Sequence, residues 1–213
     1  MLREARRSGH SLNINEDELR NPPAQKKKVV WLNRQELRDL EKVEVLTIQE
    51  QKALDCWLFR AYSGLRHNEM NQVDIKKILD GFIDINDTKK RSVKSIEVPQ
   101  PAVNILESNN GRLPHLSQQS ENVLIKRLAK RAELNRIVYT SCVVDKKYRD
   151  GEFELHQTIT THDARRTFAS ICYREFNLSL EVVRELLQHS STDQTLEYIG
   201  ASIRKAKIGG LFK

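Results

Sequence analysis

Residues 161–176 read THDARRTFASICYREF, and residues 186–198 read LLQHSSTDQTLEY. Thr160-Thr161 can cap a helix that runs to about Phe176, because a threonine oxygen accepts from the free N–H groups of a first turn. Ser179 caps a second helix over about 180–188, and a short third one carries 192–199. On the first helix His162 and Arg165 are one turn apart and share a face, so both can donate to one anion. Arg166 points elsewhere and reads as structural. His189 follows the apolar pair Leu186-Leu187 and precedes Ser190-Ser191, the mark of a helix end followed by a new cap. Taken alone, His189 reads as a capping or core residue and Tyr198 as a core or interface residue.

Working outward, residues 55–70 read DCWLFRAYSGLRHNEM. Thr47-Ile48-Gln49-Glu50 matches a capping box, and the helix it opens carries Ala53, Leu54, Trp57, Leu58 and Ala61 as one apolar stripe. Ser63-Gly64 breaks it, and a new helix is expected near His67. Arg66 then sits at a helix mouth, where backbone potential and a forked guanidinium both suit a phosphate. Taken alone, Arg66 reads more readily as half of a surface salt bridge with Glu69 or Glu36.

The remaining elements follow the same logic. Asn33 is a plausible cap for RQELRDLEKV, with Leu32 just ahead of it. Residues 81–86 and 94–98 alternate apolar with polar around DTKKRSV, which predicts a β-hairpin with a basic tip. Pro99 and Pro101 end it. Residues 101–108 and 120–132 read as helices. Residues 136–158 are mixed, and their charged run DKKYRDGE fixes no element. The expected fold class is α+β, mainly helical, with a small antiparallel sheet at the hairpin near 81–98. Pro22-Pro23 with Lys26-Lys27-Lys28 marks a linker. The domain division is therefore 1–28, a helix remnant and basic linker, and 29–213, one globular domain.

Composition narrows the partners. Lys and Arg number 36 against 29 Asp and Glu, a formal net charge of +7. Positive excess suits a polyanion, because each neutralised phosphate releases counterions. Aromatic residues are only 6% of the chain, which argues against a base-stacking single-strand binder. No apolar run approaches the roughly 20 residues that cross a bilayer, so no membrane association is expected. Cys56, Cys142 and Cys172 match neither a zinc pattern nor a disulfide framework. Cys56 and Cys172 lie in apolar helical runs and should be buried, while Cys142 is open to exposure. Cysteine usage, charge and linker style point to a bacterial cytoplasm, associated with the nucleoid.

The order GLRxxE, then HxxRRT, then LxHSS with a Tyr nine residues after the His, closely resembles the tyrosine recombinases of the phage integrase type. The resemblance spans roughly residues 29–200. It implies a DNA-cleaving, DNA-joining domain in which Arg66 and Arg165 grip the phosphate, His162 and His189 assist, and Tyr198 is the nucleophile. It also implies a hairpin-tip lysine as proton donor. Lys90 is the first choice and Lys89 the second, with Arg91 where the family usually has Thr. Lys26, Lys27, Lys28, Lys89 and Arg91 are the expected DNA contacts. No cofactor or metal is implied. The partner is double-stranded DNA, with a monomer off DNA and a homotetramer on it, joined by exchange of a C-terminal segment within 203–213. Residues 1–20 resemble the last helix of the family's N-terminal DNA-clamping domain, so weak DNA binding is expected of this chain by itself. Gln188 stands where a Gly is common, and Gly200 where a His is often seen. Two other readings remain open: a type IB topoisomerase-like enzyme, and a non-catalytic DNA-binding relic.

Overall fold

The computed structural model describes residues 29–87, 92–144 and 147–200. Helix α1 (Arg34–Glu41) starts at Asn33, whose side chain accepts from the N–H of Gln35 and Glu36, while Glu36 accepts in return from the Asn33 N–H. Helix α2 (Ile48–Ser63) starts at Thr47 as expected, with Thr47 Oγ1 accepting from Glu50 N at 3.1 Å. The box there is only half made. Glu50 Oε2 accepts from Leu46 N instead, at 3.0 Å, and is held by Arg131.

α2 is the central element. Leu54, Trp57, Leu58 and Ala61 enter the main core with Leu37 and Leu40 of α1, Ile125 and Leu128 of α4 (Gln118–Arg131), Val138 of β3 (Ile137–Val144) and Ala164 of α6 (Thr161–Arg174). The Trp57 indole N–H donates to Thr160 O at 3.0 Å, which ties α2 to the start of α6. On its other side α2 sends Phe59 into a second core with Leu65, Ile83, Ile85, Val98, Ala102 and Leu106. That core joins the hairpin β1 (Phe82–Asp87) and β2 (Ser92–Glu97) to α3 (Gln100–Ser108). Pro101 fits α3 because a proline in the first turn forfeits no helical hydrogen bond.

The β1–β2 hairpin is antiparallel, with Ile83 opposite Ile96 and Ile85 opposite Lys94. A second antiparallel hairpin pairs β3 with β4 (Lys147–Glu154). From Lys147 onward, the run that fixed no element is therefore a strand. Val138 faces the core while Ile137 and Val143 face solvent, and a two-stranded ribbon with a wet face tolerates charge. A one-turn helix, α5 (Leu155–Thr158), leads into α6.

The helix expected near His67 is present as a short 3-10 helix, His67–Gln72. Two expectations are corrected. Cys142 is buried, with its Sγ 3.4 Å from Gln157 O, so all three cysteines are buried thiols. The helix expected through Phe176 ends at Arg174. Helices α7 (Leu180–Leu187) and α8 (Thr192–Tyr198) close the described chain, capped by Ser179 and Ser191. A third small core of Ala169, Cys172, Val183, Leu187 and Ile199 holds α6, α7 and the end of α8 together. Among the described residues, no helix is long and apolar enough to cross a membrane. Lys26, Lys27, Lys28, Lys89, Lys90, Arg91 and the segment 203–213 lie outside the described residues.

Candidate active site

Helix α6 supplies two of the expected residues. Its start is fixed by Asp163, whose carboxylate accepts from the Thr160 N–H and hydroxyl at 2.8 and 2.7 Å. Arg165 is buried and donates to two main-chain carbonyls, Gly64 O at the end of α2 and Leu187 O at the end of α7. One guanidinium thus pins three elements around the site. Burial lowers the Arg165 pKa, and a Tyr198 phenolate opposes that. His162 lies one turn earlier. Burial of its ring, and then the charges of Arg166, Arg165, Arg60 and Arg66, push its pKa down to about 4. It is a neutral imidazole at pH 7, free to accept a proton.

Arg66 follows the left-handed Gly64, whose φ is +68°. Its backbone N–H and its Nη1 both donate to the Glu69 carboxylate, at 2.7 and 2.9 Å. The expected salt bridge with Glu69 exists, and it is compatible with the other reading. Arg66, His162 and Arg165 line one cleft of about 190 Å³, with Thr161, Gln118 and His67. Below the cleft lies a buried ion pair, Arg60 with Glu121, which His67 Nε2 approaches at 3.5 Å.

Tyr198 ends α8 and packs against the small core that holds Leu187 and Ile199. Its ring meets His162 at 5.2 Å and His189 at 4.9 Å, both edge-on. The phenol oxygen is buried and faces the Arg165 guanidinium without reaching a full hydrogen bond. Burial pushes its pKa up to about 12, against the pull of Arg165 and Arg166. His189 is oriented by Thr195, its Nδ1 lying 3.0 Å from Thr195 Oγ1. It follows Gln188, which closes α7 at φ +51°, a left-handed position where glycine is the unstrained residue.

The structure therefore gathers Arg66, His162, Arg165, His189 and Tyr198, with His162 and Arg165 common to the cleft and the phenol cluster. Two residues in this neighbourhood escaped the sequence reading. Arg166 does not point away: its guanidinium lies 5.5 Å from the Tyr198 ring centroid and its Nη1 3.1 Å from Asp163. It is four residues after His162, so the helical spacing already put it on that face. Lys94 is the other, a buried lysine whose Nζ is 2.6 Å from Glu69 Oε2.

The family model for the phage integrase family matches residues 32–204. The chain belongs to the phage integrase family. Solved structures show the same fold. The XerH site-specific recombinase bound to its difH substrate, in a pre-cleavage complex, is 19% identical, with 87% of this chain covering 54% of that one at a TM-score of 0.60. The Tn1549 transposon integrase in complex with transposon right end DNA is 13% identical over 99% of this chain and 73% of that one, TM-score 0.61. A lambda integrase dimer bound to a COC' core site is 16% identical over 96% of this chain and 70% of that one, TM-score 0.58. This phage integrase family chain thus spans about half the length of the XerH chain. No curated protein matches its sequence.

Proposed function

We propose that this chain carries the breaking-and-rejoining centre of a site-specific DNA recombinase, with Tyr198 as nucleophile. The observation that carries the reading is the convergence of Tyr198, His162 and His189 on the face of α6 that also supplies Arg165.

A DNA phosphodiester fits the cleft between Arg66 and Arg165, where forked N–H donors meet the non-bridging oxygens. These cations stabilise the charge that grows there during transfer. Neutral His162 accepts the phenol proton as the Tyr198 oxygen bonds to phosphorus. In the free protein this transfer is uphill, because the phenol is held high and the imidazole low. An anion in the cleft raises the His162 pKa and so prepares it as a base. The phosphorus–5′-oxygen bond breaks, and the departing oxygen takes a proton from Lys90, with Lys89 as the second choice. The products are a 3′-phosphotyrosine and a free 5′-hydroxyl. The ester preserves the bond, so another strand's hydroxyl can reverse the step.

The finer assignments belong to the same proposal. Double-stranded DNA is the substrate, with Lys26, Lys27, Lys28, Lys89 and Arg91 on its phosphates. Residues 1–28 are a helix remnant and a basic linker ahead of a catalytic domain, 29–213. Monomers assemble into a tetramer on DNA by exchanging the segment within 203–213, in a bacterial cytoplasm at the nucleoid.

Trapping on a nicked suicide DNA duplex tests the reading. A covalent adduct mapped to Tyr198, absent from Tyr198→Phe, is the expected result. DNA binding by the wild-type chain without any adduct would overturn it in favour of a binding relic.

A further inference from the structure

Lys94 sits on β2 directly opposite Ile85, on the hairpin face that carries Ile83, Ile96 and Val98 inward. A lysine there displaces apolar contact, and burial disfavours its charge. Its pKa is lowered by burial, and the contact with Glu69 restores only part of that. A buried charge of this kind persists only where a partner holds it.

The partner is Glu69. Its Oε2 accepts from Lys94 Nζ at 2.6 Å and from Arg66 N at 2.7 Å, while Oε1 accepts from Arg66 Nη1 at 2.9 Å. One carboxylate thus faces two cations. Arg66 and Glu69 alone sum to zero charge, whereas the trio sums to +1. Side-chain exposure says where the surplus is felt: 37% for Arg66, 7% for Glu69 and 4% for Lys94. Only Arg66 reaches the cleft. Lys94 is too enclosed to touch a substrate.

We infer that Lys94 is a positioning residue: its ammonium offsets the Glu69 charge, so that Glu69 orients Arg66 without cancelling its attraction for an anion in the cleft. The inference rests on reading Arg66 as a phosphate-gripping side chain. Glu69 is then a bracket with its charge removed. Loss of Lys94 turns the bracket into a competitor, and the anion must displace a carboxylate that no longer has the ammonium 2.6 Å away; Arg165 also feels the Glu69 charge but is spent on two main-chain carbonyls.

The test compares wild type, Lys94→Met, and Lys94→Met combined with Glu69→Gln. Inorganic orthovanadate affinity is measured by calorimetry and adduct formation on the suicide duplex by single-turnover kinetics. Lys94→Met should weaken both about tenfold, the scale of one charge-assisted contact. The double variant should recover most of both, although it holds no ammonium, because the neutral amide still accepts from Arg66 without opposing its charge. A purely structural or proton-donating Lys94 gives no such rescue. A double variant as impaired as Lys94→Met overturns the inference, and so does Lys94→Met at wild-type affinity. Denaturant midpoints of the double variant guard against misfolding, since replacing a buried ion pair with neutral groups is usually tolerated. The vanadate measurement stands even if no adduct forms, so failure of the recombinase reading and failure of the Lys94 role are separable.

Discussion

The ring of Tyr198 stands perpendicular to that of His162, with centroids 5.2 Å apart, while the buried phenol oxygen falls short of a full hydrogen bond to the Arg165 guanidinium that faces it. A buried hydroxyl without a full hydrogen bond costs stability, because water has been removed and only a weaker contact replaces it. Tyr198→Phe keeps the ring contacts and removes only that oxygen. It should abolish covalent capture of DNA and raise unfolding free energy by about 1 kcal/mol. Urea midpoints check the second half. A destabilised Phe variant would mean that the hydroxyl is bonded in the free protein.

The two arginines should separate by stability, though both are needed for cleavage. Arg165→Ala strands the carbonyls of Gly64 and Leu187 in a buried site. It should cost about 3 kcal/mol, the range for removing one side of a buried charged network. Arg66 holds a half-exposed ion pair. Arg66→Ala should cost no more than about 1 kcal/mol. Equal losses in guanidinium denaturation would contradict the division into anchor and gripper.

His162 should couple stability to acid. Burial and the surrounding arginines hold it at about 4, against an ordinary 6.5. Between those values the unfolded chain binds a proton that the folded chain does not. This contribution is present in full above 6.5 and fades as pH falls toward 4. The wild type should therefore lose more stability between pH 7 and pH 5 than His162→Gln does. Parallel slopes for the two proteins would refute the depressed imidazole. Orthovanadate should raise the His162 titration midpoint, read from its ring proton resonances.

Much of this arrangement was legible in the sequence. Asn33, Thr47, Ser179 and Ser191 announced helix starts because capping is local chemistry, and the β1–β2 hairpin showed in strict alternation. The grouping of Arg66 with His162, Arg165 and Tyr198 came from motif order, not from any single residue. β3 and β4 were hidden because one face of that ribbon is wet, so charge masked the period. Arg166 was misplaced although its four-residue spacing from His162 already put both on one face of α6. Lys94 carried a visible signal, an inward strand position occupied by a cation. Its partner Glu69 lies across a tertiary contact that no local pattern reports.

Gly64 joins backbone geometry to the site, and substituting it should damage both. Its φ of +68° strains any residue with a Cβ by about 1 kcal/mol. An added Cβ would also lie 2.6 Å from Phe168 Cδ1 and 2.7 Å from Cε1, inside contact distance. Phe168 is on α6 next to the segment that carries Arg165, and Gly64 O is itself an acceptor for that guanidinium. The ring must move, or the end of α2 must, and either shifts Arg165 relative to Arg66. Gly64→Ala should lower stability by about 2–3 kcal/mol and slow adduct formation out of proportion to the unfolded fraction. Adding Phe168→Leu should relieve the clash but not the backbone strain, so stability should recover in part while remaining below wild type. A Gly64→Ala protein with unchanged melting and cleavage would show that the left-handed junction is not what sets the two arginines in place.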